Sequence, residues 1–384
     1  MSWPTVPASE LMLKRGGSVN PANYPDETFE LLSIPAFDKG EPDIVEGKAI
    51  GSSKSCVQPN DVLLSKIVPH IRRCWVVPAP QGTYRQIGSG EWIIFRSEQV
   101  HPPFLRHFLT SDMFHKQFMN TTAGVGGSLV RARPAGVGNI EIPLPPLAEQ
   151  KRIAAILDKA DAIRRKRQQA IQLADDFLRA VFLDMFGDPV TNPKGWELLP
   201  FSAVGTLDRG KSRHRPRNDP ALLGGVHPLI QTGDVANSRA YIKEHSATYS
   251  DVGLAQSKKW EAGTLCITIA ANIAKTGILT YPACFPDSVV GFVPNKHVTV
   301  QYVQHWLGFL QRNLEENAPQ AAQKNINLEI LRSLLIPVPP KSEQEKFSSV
   351  VSGILGIEEK IVSSSDALGN AFNALSQKAL SGQL

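Results

Sequence analysis

The chain has 384 residues, of which 42% are hydrophobic and 20% are charged. This length leaves room for two or three domains, and this apolar content is enough for each to bury a core, which excludes disorder as the default. The net charge of +5 suits a polyanionic partner. An excess this small does not by itself separate a nucleic-acid-binding protein from many enzymes.

The cysteines and the first residues indicate the compartment. Cys56, Cys74, Cys266 and Cys284 include no Cys-x-x-Cys pair, so neither a zinc ribbon nor a disulfide framework is predicted. The N-terminus lacks the apolar core of a signal peptide, and no apolar stretch is long enough to cross a bilayer. We therefore expect a protein of the reducing cytoplasm with no membrane partner.

In chain order, the sequence predicts a globular part, a long helix, a second globular part and a second long helix. Both globular parts alternate short β-type runs, such as residues 91–95 and 265–269, with Gly, Pro and Asn. Each part closes with one amphipathic helix, predicted over residues 104–119 and 302–317. We therefore expect two α+β domains.

A nine-residue block occurs twice, about half a chain length apart. Ile-Pro-Leu-Pro-Pro-Leu-Ala-Glu-Gln at residues 142–150 returns as Ile-Pro-Val-Pro-Pro-Lys-Ser-Glu-Gln at residues 336–344. The likeness extends upstream, where Phe-Leu-Arg-His at residues 104–107 matches Tyr-Val-Gln-His at residues 302–305. The chain is thus predicted to be two copies of one unit.

A heptad pattern follows each Pro-Pro pair. Apolar residues alternate in steps of three and four along residues 144–187, and the register returns along residues 338–384. Each helix would be roughly 60 Å long and would need a cover for its apolar stripe. The side chains predicted to pack the two helices together are Ile153, Ile156, Ile163, Phe177, Val181, Phe347, Val350, Ile354, Ile357, Ile361, Leu368 and Leu375.

The order of the segments predicts the direction of the second helix. The first helix delivers the chain from one globular part to the other, so equivalent packing of the two copies requires the second helix to run back. The chain should then end near Trp3, as the first helix ends near Trp196. The predicted fold is α+β, with two similar mixed α/β domains, two long antiparallel helices that form a coiled coil, and a pseudo-two-fold internal repeat.

One short pattern imitates a nucleotide-binding loop. Residues 205–212 read Gly-Thr-Leu-Asp-Arg-Gly-Lys-Ser. A true phosphate-binding loop opens a helix, whereas Pro216 and Pro220 oppose a helix here. A basic, glycine-containing loop that faces DNA is the better interpretation.

Other catalytic patterns are weak. Asp26, Glu46 and Lys48 fit a loose metal-nuclease pattern whose spacing arises easily by chance. His107 and His305 lie at matching places on apolar helices, where a structural role is favoured. The chain also lacks the Asn/Asp-Pro-Pro-aromatic tetrad of an adenine methyltransferase. We predict no catalytic residues, no metal and no cofactor held by this chain.

Basic residues gather in the globular parts. Arginine neutralises phosphate and makes bidentate contacts to guanine. The candidates for DNA contact in the first part are Lys14, Arg15, Lys54, Lys66, Arg72, Arg73, Arg85, Arg131 and Arg133. The candidates in the second part are Arg209, Lys211, Arg213, Arg215, Arg217, Arg239, Lys258, Lys259, Lys275 and Lys324. Any single one is more readily a solvated surface charge, so the clusters at residues 71–74 and 209–217 are the stronger candidates.

The duplicated globular part, the repeated Pro-Pro block and the long helix that follows it resemble the specificity subunit of type I restriction-modification enzymes. The resemblance spans nearly the whole chain. It includes Gly-Gly-Ser-Leu-Val-Arg at residues 126–131 and Gln-Lys-Asn-Ile-Asn at residues 323–327. It implies two target recognition domains and two spacer helices, with the boundaries 1–143, 144–187, 188–337 and 338–384.

The resemblance also implies a non-catalytic subunit that works with two methyltransferase and two ATP-driven restriction subunits. S-adenosylmethionine, ATP and Mg²⁺ would belong to those partners, and the product would be N6-methyladenine. Two different domains on a stiff rod would read an asymmetric, bipartite target in double-stranded DNA. Two alternatives stay open: a DNA modification enzyme or nuclease that acts alone, and a coiled-coil scaffold that binds only protein.

Overall fold

The chain divides into two compact units in a computed structural model. Unit 1 contains Met1–Gln168 and Val362–Leu384, and unit 2 contains Gln169–Ile361. Each unit therefore combines one globular part, called the first or second domain below, with half of each long helix. The structure describes residues 3–124, 130–214, 216–269, 275–317 and 327–383, without the side chains of residues 312–317 and 362–373.

The first domain mixes short strands and helices. Its strands are β1 (Thr5–Pro7), β2 (Ser18–Val19), β3 (Thr28–Leu32), β4 (Asp43–Glu46), β5 (Lys54–Cys56), β6 (Val62–Ser65), β7 (Cys74–Val76), β8 (Arg85–Gly88), β9 (Trp92–Phe95), β10 (Thr122–Ala123), β11 (Arg131–Ala132) and β12 (Glu141–Pro143). Its helices are α1 (Ala8–Leu11), α2 (Ile34–Lys39), α3 (Pro102–Thr110), α4 (Asp112–Met119) and α5 (Pro134–Gly138), followed by the long α6 (Leu147–Phe186). Single 3-10 turns lie at Pro21–Asn23 and Gly47–Ala49.

The second domain also mixes short strands and helices. Its strands are β13 (Glu197–Pro200), β14 (Gly205–Arg209), β15 (Leu223–Leu229), β16 (Tyr241–Ile242), β17 (Ala247–Tyr249), β18 (Lys259–Trp260), β19 (Leu265–Thr268), β20 (Thr276–Leu279), β21 (Ala283–Cys284), β22 (Val289–Pro294) and β23 (Leu335–Val338). Its helices are α7 (Thr232–Asn237), α8 (Asp251–Ala255), α9 (Val300–Asn317) and α10 (Leu328–Ser333), followed by the long α11 (Lys341–Ser381). Single 3-10 turns lie at Phe201–Ala203 and Pro220–Leu222.

Each domain is built on a pair of sheets and a closing strand pair. Among the described residues of unit 1, the two larger sheets have the orders β2-β5-β8-β3-β4 and β7-β6-β9, and β10 pairs with β11. Those of unit 2 are β14-β22-β19-β20-β16 and β17-β15-β21-β18. The first and last strands of each domain pair with each other, β1 with β12 and β13 with β23. Chain entry and chain exit are therefore adjacent in both domains.

Strand β6 lies between two cores of the first domain. Val62 and Leu64 pack with Phe104 of α3, whereas Leu63 packs with Trp92 on the opposite face. Successive side chains of a strand point to opposite faces, so a strand covered on both faces reads as a continuous apolar run.

Strand β19 holds the same place in the second domain. Leu265 and Ile267 pack in the core that contains Trp306 of α9, and Cys266 packs with Trp260 on the other face. The duplication read from the sequence thus includes a strand that is covered by a core on both faces in each domain.

The two long helices are present, and they pair antiparallel within each unit. In unit 1, Ile153 near the start of α6 shares a core with Leu380 near the end of α11. In unit 2, the rings of Phe182 in α6 and Phe347 in α11 lie 5.5 Å apart. The start of one helix thus packs beside the end of the other, as predicted. No helix in the described part of the chain is both long enough and apolar enough to traverse a bilayer.

The buried stripe of the long helices deviates from the predicted seam. Leu157, Leu178 and Phe182 are buried, one position after the predicted Ile156, Phe177 and Val181. The physical reason is that, in each unit, the apolar stripe of a long helix packs against the domain of that unit as well as against the other helix. The Phe182 ring, for example, also stacks on Tyr302 of α9 at 5.5 Å.

The other predicted packing residues differ in burial. Ile153 and Phe347 are fully buried. Side chains that are partly buried are Ile156, Val181, Val350, Ile354, Ile361 and Leu375. The seam does not run through Ile163, Phe177 and Ile357, which are 37%, 50% and 57% exposed, and this corrects the prediction for them. The side chain of Leu368 lies outside the described residues.

The prediction of a single closing helix over residues 104–119 was wrong, because the helix is interrupted at Ser111. Ser111 is extended, with φ of −71° and ψ of 158°, and its hydroxyl accepts a hydrogen bond from the Phe114 N–H. A serine in this role caps a new helix, so α3 ends and α4 begins. The equivalent α9 is continuous.

A buried glutamine explains the end of the repeated block. Gln150 is fully buried in the first turn of α6. Its side-chain amide donates to the carbonyls of Pro145, at 2.8 Å, and Gln99, at 3.1 Å. Its side-chain carbonyl accepts from the N–H of His101, at 2.7 Å. His101 directly precedes α3, so one side chain ties the start of the long helix to the start of the closing helix.

Gln344 repeats this arrangement in unit 2. Its amide donates to the carbonyls of Pro339, at 2.8 Å, and His297, at 2.9 Å. Its carbonyl accepts from the N–H of Thr299, at 2.8 Å, next to the start of α9. The Pro-Pro-x-x-Glu-Gln block is therefore a joint between a domain and its long helix.

One tryptophan in each unit contacts the end of a long helix, as the sequence predicted. The indole N–H of Trp3 donates to the Ala379 carbonyl, at 3.2 Å, near the end of α11. The indole N–H of Trp196 donates to the carbonyl of Phe186, at 2.9 Å, which is the last residue of α6. The expected placement of both helix ends is confirmed.

We expect Gln150→Leu to lower the free energy of unfolding by about 2–4 kcal/mol, because two carbonyls and one N–H, all buried or partly buried, lose their partner. Urea denaturation of the full chain measures this change. The control is Gln172→Leu, since Gln172 is exposed and donates only to Asp176 among the described residues. Its effect should stay within about 0.5 kcal/mol. Equal effects of the two substitutions would contradict the role of the joint.

Candidate DNA interface

In the first domain, strand registers bring basic residues that were predicted to contact DNA to one end of the β7-β6-β9 sheet. Ser65 at the end of β6 lies opposite Trp92 at the start of β9. Leu64 lies opposite Cys74, which begins β7. Lys66 and the Arg72-Arg73 pair therefore leave the sheet at this same end. We call the sheet end formed by Ser65, Cys74 and Trp92 the charged end of the first domain.

Two more segments of the first domain reach the charged end. The Leu13 N–H donates to the Ile94 carbonyl, at 2.8 Å, and the chain at this point runs antiparallel to β9. Lys14 and Arg15, which follow, are therefore directed towards this end. On the other side, Arg131 pairs with Ile67, just after β6. Tertiary structure thus gathers cations that are far apart along the chain.

Glu91 neutralises part of this charge. It lies 3.3 Å from Arg131 and 3.9 Å from Lys66, whose ammonium also donates to the Gly90 carbonyl. Lys14, Arg15 and Arg133 are exposed, and within the described ranges of unit 1 they have no ion-pair partner. Among the predicted DNA contacts of this domain, they are therefore the cations that are free to meet a phosphate.

The second domain has an equivalent charged end. Arg209, the last residue of β14, lies opposite Val290, and Thr268 at the end of β19 lies opposite Val289. Lys275 precedes β20, which starts at the same end. We call the sheet end formed by Thr268, Thr276 and Val289 the charged end of the second domain. Arg15 and Arg209 hold matching places in the repeat, each directly before a glycine.

A basic loop follows β14 and is fixed to the domain by its backbone. A side chain at Gly210 would collide with the Phe285 carbonyl oxygen, which lies 2.1 Å from the position of a Cβ atom, so this close approach requires glycine. The Ser257 hydroxyl donates to the Lys211 carbonyl, at 2.8 Å. The Gln256 side chain accepts from the N–H of Arg213, at 2.5 Å.

These backbone contacts leave the side chains of Lys211 and Arg213 exposed. Arg209, Lys211, Arg213, Lys259 and Lys275 are exposed, with no ion-pair partner among the residues described in unit 2. An ordered loop with free cations can hold a phosphate chain without first being ordered, so less conformational entropy is lost on binding.

The pattern that imitates a nucleotide-binding loop is not one. Its first five residues form strand β14, and no helix begins at the described residues 211–214 that follow. Without helix N-terminal amides the loop has no phosphate cradle of that type. The interpretation of a basic loop is supported instead.

Several predicted DNA contacts have structural partners. Arg73 is a correction: its guanidinium binds both carboxylate oxygens of Asp38, at 2.7 and 2.8 Å, and only 12% of its side chain is exposed. Arg239 is a second correction, since its guanidinium faces Glu358 of α11. Because these carboxylates engage the guanidinium groups, Arg73 links two segments of the first domain, and Arg239 links the second domain to α11.

Other candidates are engaged but remain partly exposed. Arg85 binds Glu27 through two hydrogen bonds, at 2.9 and 2.6 Å. The remaining contacts join Arg72 to Asp112, Arg217 to Asp287, Lys258 to Asp208 and Lys54 to Ser52. Burial lowers the pKa of Lys54 below its usual range. Arg215 and Lys324 lie outside the described residues, as do most of the motifs at 126–131 and 323–327.

The weak metal-nuclease pattern is brought together in space but is neutralised. The Lys48 ammonium lies 2.6 Å from the Glu46 carboxylate, and the Lys48 N–H donates to the Pro25 carbonyl beside Asp26. All three side chains are exposed. Over the described ranges, no group of three or more His, Cys, Asp or Glu is placed to hold a metal ion.

The paired histidines are packed into the domains. His107 Nε2 lies 2.8 Å from Asp158, and His305 Nδ1 lies 2.9 Å from the Gln301 carbonyl. Burial lowers the pKa of both imidazoles, which favours the neutral form. These contacts support the structural role that the sequence suggested.

Two residues that shape the interface had no signal in the sequence. Gln256 and Ser257 fix the basic loop from positions 43 and 46 residues away in the chain. Glutamine and serine are common surface residues, so only the folded contact identifies them.

Comparison with known proteins gives the family. A model described as the type I restriction modification DNA specificity domain matches residues 81–173 and 193–361. The type I restriction enzyme EcoKI specificity subunit of Escherichia coli is 21% identical over 321 residues, covering 76% of this chain and 68% of that protein. The putative type I restriction enzyme MjaX specificity subunit of Methanocaldococcus jannaschii is 22% identical, covering 65% and 59%. The chain therefore spans less than two thirds of the latter.

Solved structures share the fold. The S subunit of a type I restriction-modification system from M. genitalium superposes with a TM-score of 0.60 at 12% identity, covering 98% of this chain and 96% of that chain. A chain from a structure of complex assembly and conformational transition of the type I R-M system has a TM-score of 0.53 at 20% identity, covering 100% and 98%. Because the family model matches more than half of the residues, the chain belongs to the type I restriction-modification DNA specificity family.

Proposed function

We propose that the chain reads a bipartite target in double-stranded DNA and leaves the chemistry to partner subunits. The observation that carries the proposal is the charged end of each domain, where Arg15 and Arg209 hold matching, exposed positions. Two such ends on one duplicated chain are what recognition of two half-sites requires.

The chemistry of these ends suits a groove of DNA. Exposed Arg and Lys neutralise phosphates, and arginine can also read guanine in the major groove. The free candidate cations of the two domains differ in number and spacing, with Lys14, Arg15 and Arg133 in the first domain and Arg209, Lys211, Arg213, Lys259 and Lys275 in the second. The two half-sites are therefore expected to differ, and the target to be asymmetric.

The proposed division of labour follows the predicted boundaries. Residues 1–143 and 188–337 act as target recognition domains, and residues 144–187 and 338–384 act as spacer helices. Such helices would hold the two domains about one DNA turn, or ~34 Å, apart. Base pairs between the half-sites would then go unread.

The proposed partners are two methyltransferase subunits and two restriction subunits in the cytoplasm. The repeated helices offer two equivalent surfaces, which suits two copies of one partner. These subunits would supply adenine-N6 methylation with S-adenosylmethionine, and cleavage with ATP and Mg²⁺. The relatives named above are specificity subunits of type I restriction enzymes. This chain would carry no catalytic step itself.

We expect Arg209→Ala combined with Lys211→Ala to weaken DNA binding by the complex with its methyltransferase subunits about 10- to 100-fold. Each lost phosphate contact should also lower the salt dependence of log K by about 0.9. Fluorescence anisotropy over a salt series measures both. The control is Lys39→Ala with Lys48→Ala, which removes two exposed, ion-paired cations of the first domain that are not among the candidate DNA contacts. Equal losses in both variants would contradict the placement of the interface.

Replacing residues 1–140 by the equivalent segment of another specificity subunit should change one half-site and leave the other unchanged. The reason is that each domain has its own cores and its own charged end. Long-read mapping of methylated adenines in cells that carry the exchange measures the outcome. Changes in both half-sites would show that the domains do not read independently.

Inserting one heptad into α6 between residues 159 and 175, with a matching heptad in α11, should lengthen the unread spacer. Seven helical residues add about 10 Å, or about three base pairs. The same methylation mapping should then find both half-sites intact at a larger separation. An unchanged separation would refute the role of the helices as a spacer.

A further inference from the structure

Arg239 has a backbone conformation that side chains disfavour. It follows α7 with a φ of 54°, in the left-handed region where glycine is the ordinary choice. A bulky residue persists at such a position when its side chain makes a contact that glycine could not make. A contact of the Arg239 side chain is therefore expected to stabilise this backbone conformation.

The Arg239 guanidinium lies between the two long helices of unit 2. Its Nη1 atom is 3.4 Å from Glu358 of α11, and its Nη2 atom is 4.0 Å from Asp175 of α6. Four residues later, the Lys243 ammonium lies 2.7 Å from Glu359. One short segment of the second domain is thus joined by charge to both helices.

Glu358 depends on this arginine. The residue is only 4% exposed, and one of its carboxylate oxygens has no hydrogen-bond partner within the described part of the chain. Burial raises the pKa of Glu358, the Arg239 charge opposes this rise, and Asp175 adds to it. A buried carboxylate that loses its cation is strongly unfavourable. Arg239 and Glu358 therefore act as one connected pair.

The pair crosses a cavity where apolar packing is incomplete. A cavity of about 420 Å³ is lined by Arg239 and Glu358 together with Gln304 and His305 of α9 and Asp175 of α6. Close-packed side chains would set the angle between domain and helices, but a hollow of this size does not. At this place the polar links act together with the neighbouring packing of Phe182 against Tyr302 to hold the second domain on the helix pair.

We propose that Arg239 is a positioning residue, which fixes the angle of the second domain against both long helices and thereby the spacing between the half-sites. The inference rests on the proposed function for its effect on spacing, but not for the link itself. In this proposal Arg239 keeps the distance between the half-sites accurate and does not contact DNA itself.

The substitutions Arg239→Gly and Glu358→Gln together separate this role from stability. Glycine relieves the backbone strain but leaves Glu358 without its cation, so Tm should fall in the single variant. Combining Arg239→Gly with Glu358→Gln removes the uncompensated charge, so Tm of the double variant should return to within a few degrees of the wild-type value. Glu358→Gln is the second variant, because it removes the charge from the other partner while keeping the shape of the side chain. Asn60→Gly is the matched control: Asn60 also has a left-handed φ, of 71°, in the first domain, but has no such link in the structure described.

The first readout is geometric. Spin labels placed by Thr280→Cys on the second domain and Ser352→Cys on α11 report the distance distribution between domain and helix. Cys56, the one cysteine of the four that is not buried, is replaced by Ser in all variants. Arg239→Gly and Glu358→Gln should broaden the distribution, and Asn60→Gly should not. An unchanged distribution in both link variants would overturn the proposal.

The second readout is spacing accuracy in the complex with methyltransferase subunits. DNA targets with the native spacer, or with one base pair added or removed, are compared by competition binding. In Arg239→Gly the preference for the native spacer should fall about tenfold, while affinity for single half-sites stays unchanged. A broadened distance distribution with unchanged spacer preference would overturn the positioning role. A wild-type complex with no spacer preference would instead overturn the proposed function, and the distance measurement would still test the link.

Discussion

A buried glutamine at the first turn of each long helix is the contact on which the architecture depends. Gln150 and Gln344 each join three backbone groups: two carbonyls and the N–H that precedes the closing helix of the domain. A long helix that leaves a domain after Pro-Pro would otherwise be free to pivot. Because the glutamine bonds to backbone groups on both sides of the joint, any pivot costs several hydrogen bonds at once.

The repeat preserves this joint while the surfaces differ. Both domains keep a central strand between two cores, and in both a tryptophan indole donates a hydrogen bond to a carbonyl near the end of a long helix. The loops at the charged ends share little beyond the paired Arg15 and Arg209. A scaffold conserved within one chain, with divergent loops upon it, is physically suited to one assembly that reads two different sequences.

Prediction of individual contacts was less successful than prediction of the fold, and arginine shows why. Arg73 and Arg209 look alike in the sequence, since both lie in basic, loop-forming clusters. Asp38, 35 residues from Arg73, binds the first in a bidentate pair, while the second is exposed. Whether a guanidinium is available to DNA depends on carboxylates from distant parts of the chain, and no local pattern records them.

The sequence by itself determined the duplication, the two long helices, their antiparallel direction and the family. These follow from periodicity and from repeated motifs, which are local or simply additive along the chain. Only the tertiary structure decided which face of each helix is buried, which cations are free, and that Arg239 belongs to the helix pair. Those properties arise from contacts between distant segments, where geometry selects among residues of the same chemical type.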